Sequence, residues 1–221
     1  ATTPLGPIRP RTLLNTLIAI LLGALVALGI IFLIEYLDDR VQTPEDLRRI
    51  ADVPVLGAIG KSPSPKGVEN TGLGSIISLT QPRHPIVEAY RRLRTNLQFY
   101  NLDTGLRTIM VTSAEAGEGK SLTSANLAVV MAQSGLKVIL VDADLRKPRQ
   151  HTIFEVPRTP GLAEALISGE LSPDLLHPIE KAPGLSGLTC GELMPNPAEV
   201  LGSQRMKHTL KQLTDAADIV I

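Results

Sequence analysis

The sequence predicts an α/β fold in which helices flank a parallel sheet, preceded by one transmembrane helix. Short apolar stretches, "TIMVT", "KVILVDAD" and "DIVI", alternate with stretches of helical character. This alternation is typical of a parallel sheet that is covered on both faces. A glycine-rich loop follows the first of these strands, and a long uncharged run lies near the N-terminus. We therefore expect a sheet domain that follows a membrane anchor.

The composition narrows the classes of function. The 221 residues carry 22 Lys and Arg against 22 Asp and Glu, so the formal net charge is zero. A neutral chain has no general electrostatic attraction to nucleic acid, and we expect no nucleic-acid partner. The single cysteine, Cys190, cannot form an intrachain disulfide and suits a reducing compartment. The same count excludes a four-cysteine iron–sulfur site within this chain.

The run Thr16–Ile34 contains no charged residue. A helix of this length covers about 29 Å, roughly the core of a bilayer. We predict a transmembrane helix over residues 13–36. A buried core helix fits less well because the run is apolar on all sides. A signal peptide also fits less well, because "EYLDDR" follows in place of a cleavage site of small residues.

The segments around this helix differ in composition. Residues 1–12 are proline-rich and are predicted to be an extracytoplasmic juxtamembrane segment; residues 37–60 form the cytoplasmic counterpart. Within the latter, Thr43 and Pro44 favour a short helix to about residue 51, followed by the extended "VPVLGAIG". Residues 61–82 are rich in Ser, Pro and Gly, and we interpret them as a flexible linker.

The sheet domain is predicted to occupy residues 83–221. Apolar residues at intervals of four and three indicate a helix whose buried face carries Ile86, Tyr90, Leu93, Leu97 and Tyr100. The further predicted elements are the strands Thr108–Thr112, Lys137–Asp144 and 218–221, the helix Ser121–Ser134 closed by Gly135, and helices over 161–168 and 197–216.

The loop between the first strand and the following helix has the pattern A-x-x-x-x-G-K-S of a nucleotide-binding P-loop. Its glycines allow main-chain N–H groups to turn towards phosphate oxygens, and the helix N-terminus faces the same place. Lys120 can reach the β- and γ-phosphates, and the Ser121 hydroxyl can bind Mg²⁺. A plain strand–turn–helix connection is the alternative. The candidate nucleotide-binding residues are Ala114, Glu115, Ala116, Gly117, Glu118, Gly119, Lys120, Ser121 and Leu122.

Two aspartates, Asp142 and Asp144, follow the second strand at the sheet edge where ligands of open α/β sheets bind. Two carboxylates crowded together are costly unless a cation neutralises them, and Mg²⁺ beside the P-loop would do so. An Asp-rich turn paired with Arg146 and Lys147 is the alternative. The candidate metal ligands are Ser121, Asp142 and Asp144, and the candidate catalytic residues are Lys120, Asp142 and Asp144.

These motifs together resemble those of the bacterial tyrosine kinases (BY-kinases) of exopolysaccharide and capsule biosynthesis. The P-loop, "VILVDADLRKP" and "DIVI" are similar to the family's Walker A, Walker A′ and the start of Walker B. "EAYRRLRTNLQF" resembles its E-x-x-R-x-x-R segment, with Glu88, Arg91 and Arg94 in the motif positions. The membrane span and juxtamembrane segment resemble the associated chain-length determinants.

The resemblance implies an ATP- and Mg²⁺-dependent enzyme that phosphorylates tyrosines of its own C-terminal cluster, in trans within a ring of subunits. It implies that Lys120 and Ser121 bind ATP·Mg²⁺, and that Asp142 and Asp144 serve the metal and the attacking hydroxyl. It assigns Glu88, Arg91 and Arg94 to the subunit contact. The implied location is the bacterial plasma membrane with a cytoplasmic kinase domain, and the implied partners are the polysaccharide export and polymerisation machinery and a cognate tyrosine phosphatase.

Two departures from the family pattern and two rival functions remain open. The Walker B aspartate would follow Ile221, and the sequence has no C-terminal tyrosine cluster, so we expect an incomplete piece that is inactive alone. One rival is a positioning ATPase of the MinD/ParA class, but Glu115 stands where its signature lysine belongs. The other is a non-catalytic chain-length scaffold, which the intact Lys120 and Asp142 disfavour. Glu88 can also pair simply with arginines of its own helix.

Overall fold

The computed structural model describes residues 11–37, 53–60 and 72–221, and the chain divides into two units, Ala1–Val55 and Leu56–Ile221. In the first unit a 25-residue helix, Thr12–Tyr36, contains the predicted span 13–36. Its residues are exposed, and Glu35 is its one charged residue. At 1.5 Å per residue it is about 37 Å long, so it is long and apolar enough to cross a membrane.

The second unit begins before the predicted boundary of the sheet domain. The short helix predicted to end near residue 51 and residues 61–71 of the predicted linker lie outside the described residues. Residues 72–80 were also assigned to the linker, but they form a 3₁₀ turn, Gly72–Ser75, and a short helix, Ile77–Thr80. Ile76 is fully buried in the core. The Ser- and Gly-rich composition concealed the apolar run "IISL", whose burial orders this segment.

Four short strands form the sheet in the spatial order β2-β3-β1-β4. The central strand β1, Val138–Val141, pairs in parallel with β3, Leu185–Leu188, and with β4, Ile219–Val220. The edge strand β2, His177–Pro178, is antiparallel to β3. The predicted parallel pairing with flanking helices is confirmed, and the antiparallel edge strand β2, which the sequence analysis did not predict, makes the sheet mixed. A short turn joins β2 to β3, and only antiparallel neighbours can be connected so directly.

The predicted strand Thr108–Thr112 pairs with the sheet only at its start. Thr108 forms a parallel bridge with Val220, and the main-chain N–H of Ile109 donates to the Val220 carbonyl at 2.8 Å. Its neighbour β4 has two residues, so the rest of the segment has no strand to pair with in the described part of the chain. It nonetheless runs alongside β4 and leads into the P-loop.

The helices of the second unit surround this sheet. Two of them are central to the site: the P-loop helix, Lys120–Ala132, and the Glu88 helix, Pro85–Thr104. The region 197–216, predicted as helical throughout, is interrupted at Gly202, because the Ser203 hydroxyl accepts the N–H of Met206 and starts a new helix. The remaining helices are Gln150–Phe154, Leu162–Ser168, the 3₁₀ turn Pro173–Leu175, Pro197–Leu201 and Gln204–Ala216.

Two apolar clusters lie on opposite faces of the sheet, since alternate residues of β1 enter different clusters. Val138 and Leu140 pack with the P-loop helix and with the Glu88 helix, whereas Ile139 packs with Leu213 and other residues of the C-terminal helix. The Glu88 helix buries Tyr90 as predicted, but Tyr100 is 55% exposed. The P-loop helix is thus held between the sheet and the Glu88 helix.

Candidate active site

The P-loop has the backbone that its glycines require. Gly117 and Gly119 adopt φ angles of +92° and +90°, in the left-handed region that favours glycine. A Cβ atom built on either residue would meet nothing within 4 Å, so the loop surface there is open. Glu118 folds back on the loop, where its carboxylate accepts the N–H of Glu115 at 3.3 Å. Residues 114–119 are all exposed.

The P-loop helix begins at Lys120, directly after Gly119. Among the described residues no side chain caps this N-terminus, and its first turn contains no acidic residue, so its N–H groups remain available to an anion. Ser121 and Leu122 are partly buried in the first turn. The Ser121 hydroxyl makes no hydrogen bond within the described residues, which leaves it free to serve as a ligand.

Asp142 lies directly after β1 and is 5% exposed. Its Oδ2 accepts the N–H groups of Arg149 and Gln150, each at 2.9 Å, and its Oδ1 accepts the N–H of Asp144 at 3.3 Å. Burial raises the pKa of Asp142 above its ordinary value and is the largest effect. The main-chain hydrogen bonds lower the pKa, the repulsion of Asp144 raises it, and both effects are smaller. The charged form is therefore held at a desolvation cost that a cation would offset.

Asp144 is more exposed and faces the P-loop lysine. Lys120 Nζ lies 3.8 Å from Asp144 Oδ2, and the other carboxylate oxygen accepts the N–H groups of Arg146 and Lys147. About a third of each paired side chain is exposed, so this ion pair contributes at most about 1 kcal/mol. The main effect of this ion pair is to hold the Lys120 ammonium beside Asp144.

A cavity of about 660 Å³ connects these groups. Its polar wall includes Lys120, Ser121, Asp142 and Asp144. The other lining residues are mostly apolar. This combination suits a ligand with an anionic end and a flat, weakly polar end. The apolar wall and the adjoining strand edge comprise Thr108–Thr112, Val141, Pro197, Ala198, Leu201, Met206, Leu210, Val220 and Ile221.

Sequence reasoning missed a buried polar residue that lines this cavity. Gln150 is 7% exposed, lines the cavity, and donates from Nε2 to the Ser121 carbonyl at 3.0 Å. Its own main-chain N–H is one of the two donors to Asp142 Oδ2, so Gln150 connects the P-loop helix with the buried aspartate. Only its position eight residues after Asp142 could have suggested this role, and that signal is weak.

The residues present fit a nucleotide and a divalent metal. The open P-loop and the free helix N-terminus suit phosphates, and a buried carboxylate beside a serine hydroxyl is a donor set that Mg²⁺ accepts. No cluster of three or more His, Cys, Asp or Glu able to hold a metal occurs in the described residues.

The three residues of the E-x-x-R-x-x-R motif lie apart from the cavity and in different surroundings. Arg91 pairs with Glu88 one turn earlier and also donates to the Pro82 carbonyl at 3.1 Å. Arg94 Nη1 lies 3.3 Å from the Val130 carbonyl in the last turn of the P-loop helix. Glu88 is exposed. The structure therefore gives Arg91 and Arg94 contacts within their own subunit and leaves Glu88 accessible.

Comparison with known proteins shows which proteins this chain is similar to. The model of the ParA family, described as NUBPL iron-transfer P-loop NTPase, matches residues 106–218. The chain is 44% identical over 147 residues to the tyrosine-protein kinase YwqD of Bacillus subtilis (strain 168), which covers 66% of this chain and 62% of that protein. It is 31% identical over 234 aligned positions to the tyrosine-protein kinase etk of Escherichia coli (strain K12), which covers all of this chain and 32% of that protein.

A solved structure gives the same indication. The kinase domain of the Escherichia coli tyrosine kinase ETK matches with a TM-score of 0.73 and 33% identity, over 82% of this chain and 72% of that one. The chain thus spans less than two thirds of YwqD and about a third of etk.

The buried carboxylate of Asp142 makes a pH-dependent prediction. Because burial raises its pKa, its contribution to stability is present below the ordinary value of 3.8 and is lost as the pH rises through the raised pKa. In Asp142→Asn the amide oxygen can take the place of Oδ2, and only the longer bond from the Asp144 N–H is lost. The substitution should therefore raise the melting temperature of the nucleotide-free protein at pH 7, and the gain should shrink as the pH falls towards 3.8. Thermal denaturation across a pH series measures this, with Asp218→Asn, an exposed aspartate at the opposite end of β1, as the control. A lower melting temperature at pH 7 would contradict it.

Proposed function

Because the chain belongs to the bacterial tyrosine kinase family of P-loop NTPases, we propose that it is part of a membrane-anchored, ATP-dependent protein-tyrosine autokinase that regulates polysaccharide chain length and export. The observation that carries this proposal is the joint placement of the P-loop, Lys120 and the two aspartates around one cavity. The names of the related kinases support the same reaction.

In this proposal each group has a chemical role. The P-loop N–H groups and the Lys120 ammonium bind the phosphates of ATP. Ser121, Asp142 and Asp144 hold Mg²⁺, which when bound supplies positive charge against the phosphate oxygens. Lys120 is paired with Asp144 in the structure. Binding of a phosphate by Lys120 would free the Asp144 carboxylate from this ion pair, so that Asp144 could bind Mg²⁺ and orient the tyrosine hydroxyl of a neighbouring copy. The transferred group is thus positioned and its charge is stabilised.

The location and partners follow from the same proposal. The helix Thr12–Tyr36 crosses the bacterial plasma membrane, and the P-loop unit lies in the cytoplasm, where ATP is found. Neighbouring copies form a ring-like oligomer through the E-x-x-R-x-x-R motif. The polysaccharide export and polymerisation machinery and a cognate tyrosine phosphatase are the proposed partners.

Lys120→Ala tests the catalytic proposal. In the full-length protein the loss of this cation should lower phosphotyrosine by at least about a hundredfold, because charge stabilisation in a closed site contributes a few kcal/mol. Immunoblotting for phosphotyrosine measures the effect. Lys137→Ala, an exposed lysine at the start of β1, is the matched control. Unchanged phosphotyrosine would exclude the proposed site, and ATP hydrolysis without phosphotyrosine in the wild type would favour the positioning ATPase.

The membrane topology can be tested by cysteine labelling. Cys190 is fully buried, and burial raises the pKa of its thiol to about 11, so it reacts poorly with maleimides. In a Cys190→Ser background, an impermeant maleimide added to intact cells should label Thr2→Cys and should not label Ser64→Cys. Labelling of Ser64→Cys in permeabilised cells is the control. Equal labelling of both positions in intact cells would contradict the proposed topology.

The subunit contact can be tested with single substitutions. If Glu88 bridges to a neighbour, Glu88→Ala should lower the oligomer mass and the phosphotyrosine level while ATP affinity stays near normal. Arg94→Ala should lower the melting temperature as well, because it also removes the bond to the Val130 carbonyl. Arg92→Ala, an exposed arginine of the same helix, is the control. An unchanged sedimentation distribution for Glu88→Ala would contradict the subunit contact. The Glu88–Arg91 pair would then be only an intrahelical contact, which contributes about 0.3–0.5 kcal/mol.

A further inference from the structure

Gln150 uses its main-chain N–H and its side-chain Nε2 to join the two sides of the candidate site. The main-chain N–H donates to Asp142 Oδ2 at 2.9 Å, and Nε2 donates to the Ser121 carbonyl at 3.0 Å. The side-chain oxygen Oε1 is buried and accepts no hydrogen bond from any described residue. The residue as a whole is 7% exposed and lines the cavity.

An unpaired buried acceptor is unusual, because desolvation removes its bonds to water and nothing replaces them. The bond from Nε2 to the Ser121 carbonyl fixes which end of the amide is the oxygen, since the reverse orientation would set two carbonyl oxygens against each other. Gln150 lines the cavity together with Ser121 and Asp142, so an O–H or N–H donor bound in this part of the cavity is the candidate partner for Oε1.

A bound metal supplies such a donor at this place. Ser121 and Asp142 are the proposed ligands of Mg²⁺, and Mg²⁺ keeps several water molecules when it binds to proteins. A hydroxyl or water whose oxygen coordinates a divalent cation is polarised, and its hydrogen needs an acceptor. We propose that Gln150 is a positioning residue for the metal: its Oε1 accepts a hydrogen bond from a metal-coordinated O–H group and so strengthens Mg²⁺-dependent nucleotide binding.

This inference rests on the proposed function, because it requires a nucleotide and Mg²⁺ in the cavity. It predicts an effect on the metal-dependent part of binding and not on nucleotide binding in general. The bond from the Gln150 N–H to Asp142 belongs to the main chain, so side-chain substitutions at this position leave it in place.

The test measures the affinity of ADP for the full-length protein in detergent, in excess EDTA and in Mg²⁺, by titration calorimetry. The dissociation constant in EDTA divided by that in Mg²⁺ is the metal ratio, and it reports how much the metal strengthens ADP binding. Gln150→Leu should lower this ratio about fivefold, the effect of losing one hydrogen bond, while the affinity for ADP in EDTA stays within about twofold of wild type. Gln150→Met, which matches the side-chain length, replaces it if the Leu variant does not fold.

Gln150→Glu distinguishes the role of the Oε1 acceptor from the role of the hydrogen bond between Nε2 and the Ser121 carbonyl. Glutamate keeps an acceptor near the position of Oε1 but loses the donor to the Ser121 carbonyl. We expect a metal ratio at or above that of wild type together with a lower melting temperature. Gln133→Leu is the matched control, because the Gln133 Nε2 donates to the main-chain carbonyl of Ser78, outside the cavity. It should leave the ratio unchanged.

Two outcomes would overturn the inference. A wild-type ratio in Gln150→Leu would mean that Oε1 plays no part in metal binding. An equal loss in Gln150→Leu and Gln150→Glu would mean that only the bridge to Ser121 matters. If the wild-type protein bound no ADP in EDTA or in Mg²⁺, the proposed function itself would fail. This result differs from the two outcomes above, in which the wild-type protein does bind ADP.

A double-mutant cycle with Ser121→Ala identifies the O–H group. If the Ser121 hydroxyl donates to Oε1, the losses caused by Ser121→Ala and Gln150→Leu will overlap, and the double variant will lose less than the product of the two. If a coordinated water donates, the two losses will multiply. Either result supports the acceptor role and assigns its donor.

Discussion

The carboxylate of Asp142 is the constraint on which the rest of the site depends. It is buried at the end of the central strand, where its charge is costly, and main-chain N–H groups of residues 144, 149 and 150 surround it. These bonds fold the segment after β1 back over the sheet edge. The same fold brings Gln150 against the first turn of the P-loop helix and places Asp144 opposite Lys120. One desolvated charge thus organises both sides of the cavity.

The P-loop helix connects this site to the rest of the second unit. Its second turn carries Asn126, whose side chain accepts the N–H of Ser78 and donates to the Leu122 carbonyl. Tyr90 of the Glu88 helix hydrogen-bonds Thr123, and burial raises the pKa of that tyrosine. Elements that precede the P-loop in the chain therefore contact the helix that forms it. Ser78 and Tyr90 are thus in direct hydrogen-bond contact with the helix that follows the P-loop.

The rival functions share the P-loop and differ in what surrounds it. A phosphate-binding loop and two aspartates are compatible with a kinase and with a switch ATPase, and fold alone does not separate them. Two features favour the kinase: Glu115 in place of a second lysine, and a long apolar helix before the nucleotide-binding unit. A scaffold without activity would have no need to keep a lysine, a serine and a buried aspartate around one cavity.

Local pattern was enough to predict the long apolar helix Thr12–Tyr36, the P-loop glycines before the helix that begins at Lys120, and the strand that ends before Asp142, because helix period, strand period and loop chemistry depend on residues that are close in the sequence. Other features depend on partners far along the chain. Gln150 meets Ser121 across 29 residues, and Ser78 meets Asn126 across 48. The antiparallel edge strand and the folding of residues 72–80 also depend on contacts with residues that are distant in the sequence. Only tertiary packing decides these, because the burial and hydrogen bonds that stabilise them do not exist until distant segments come together.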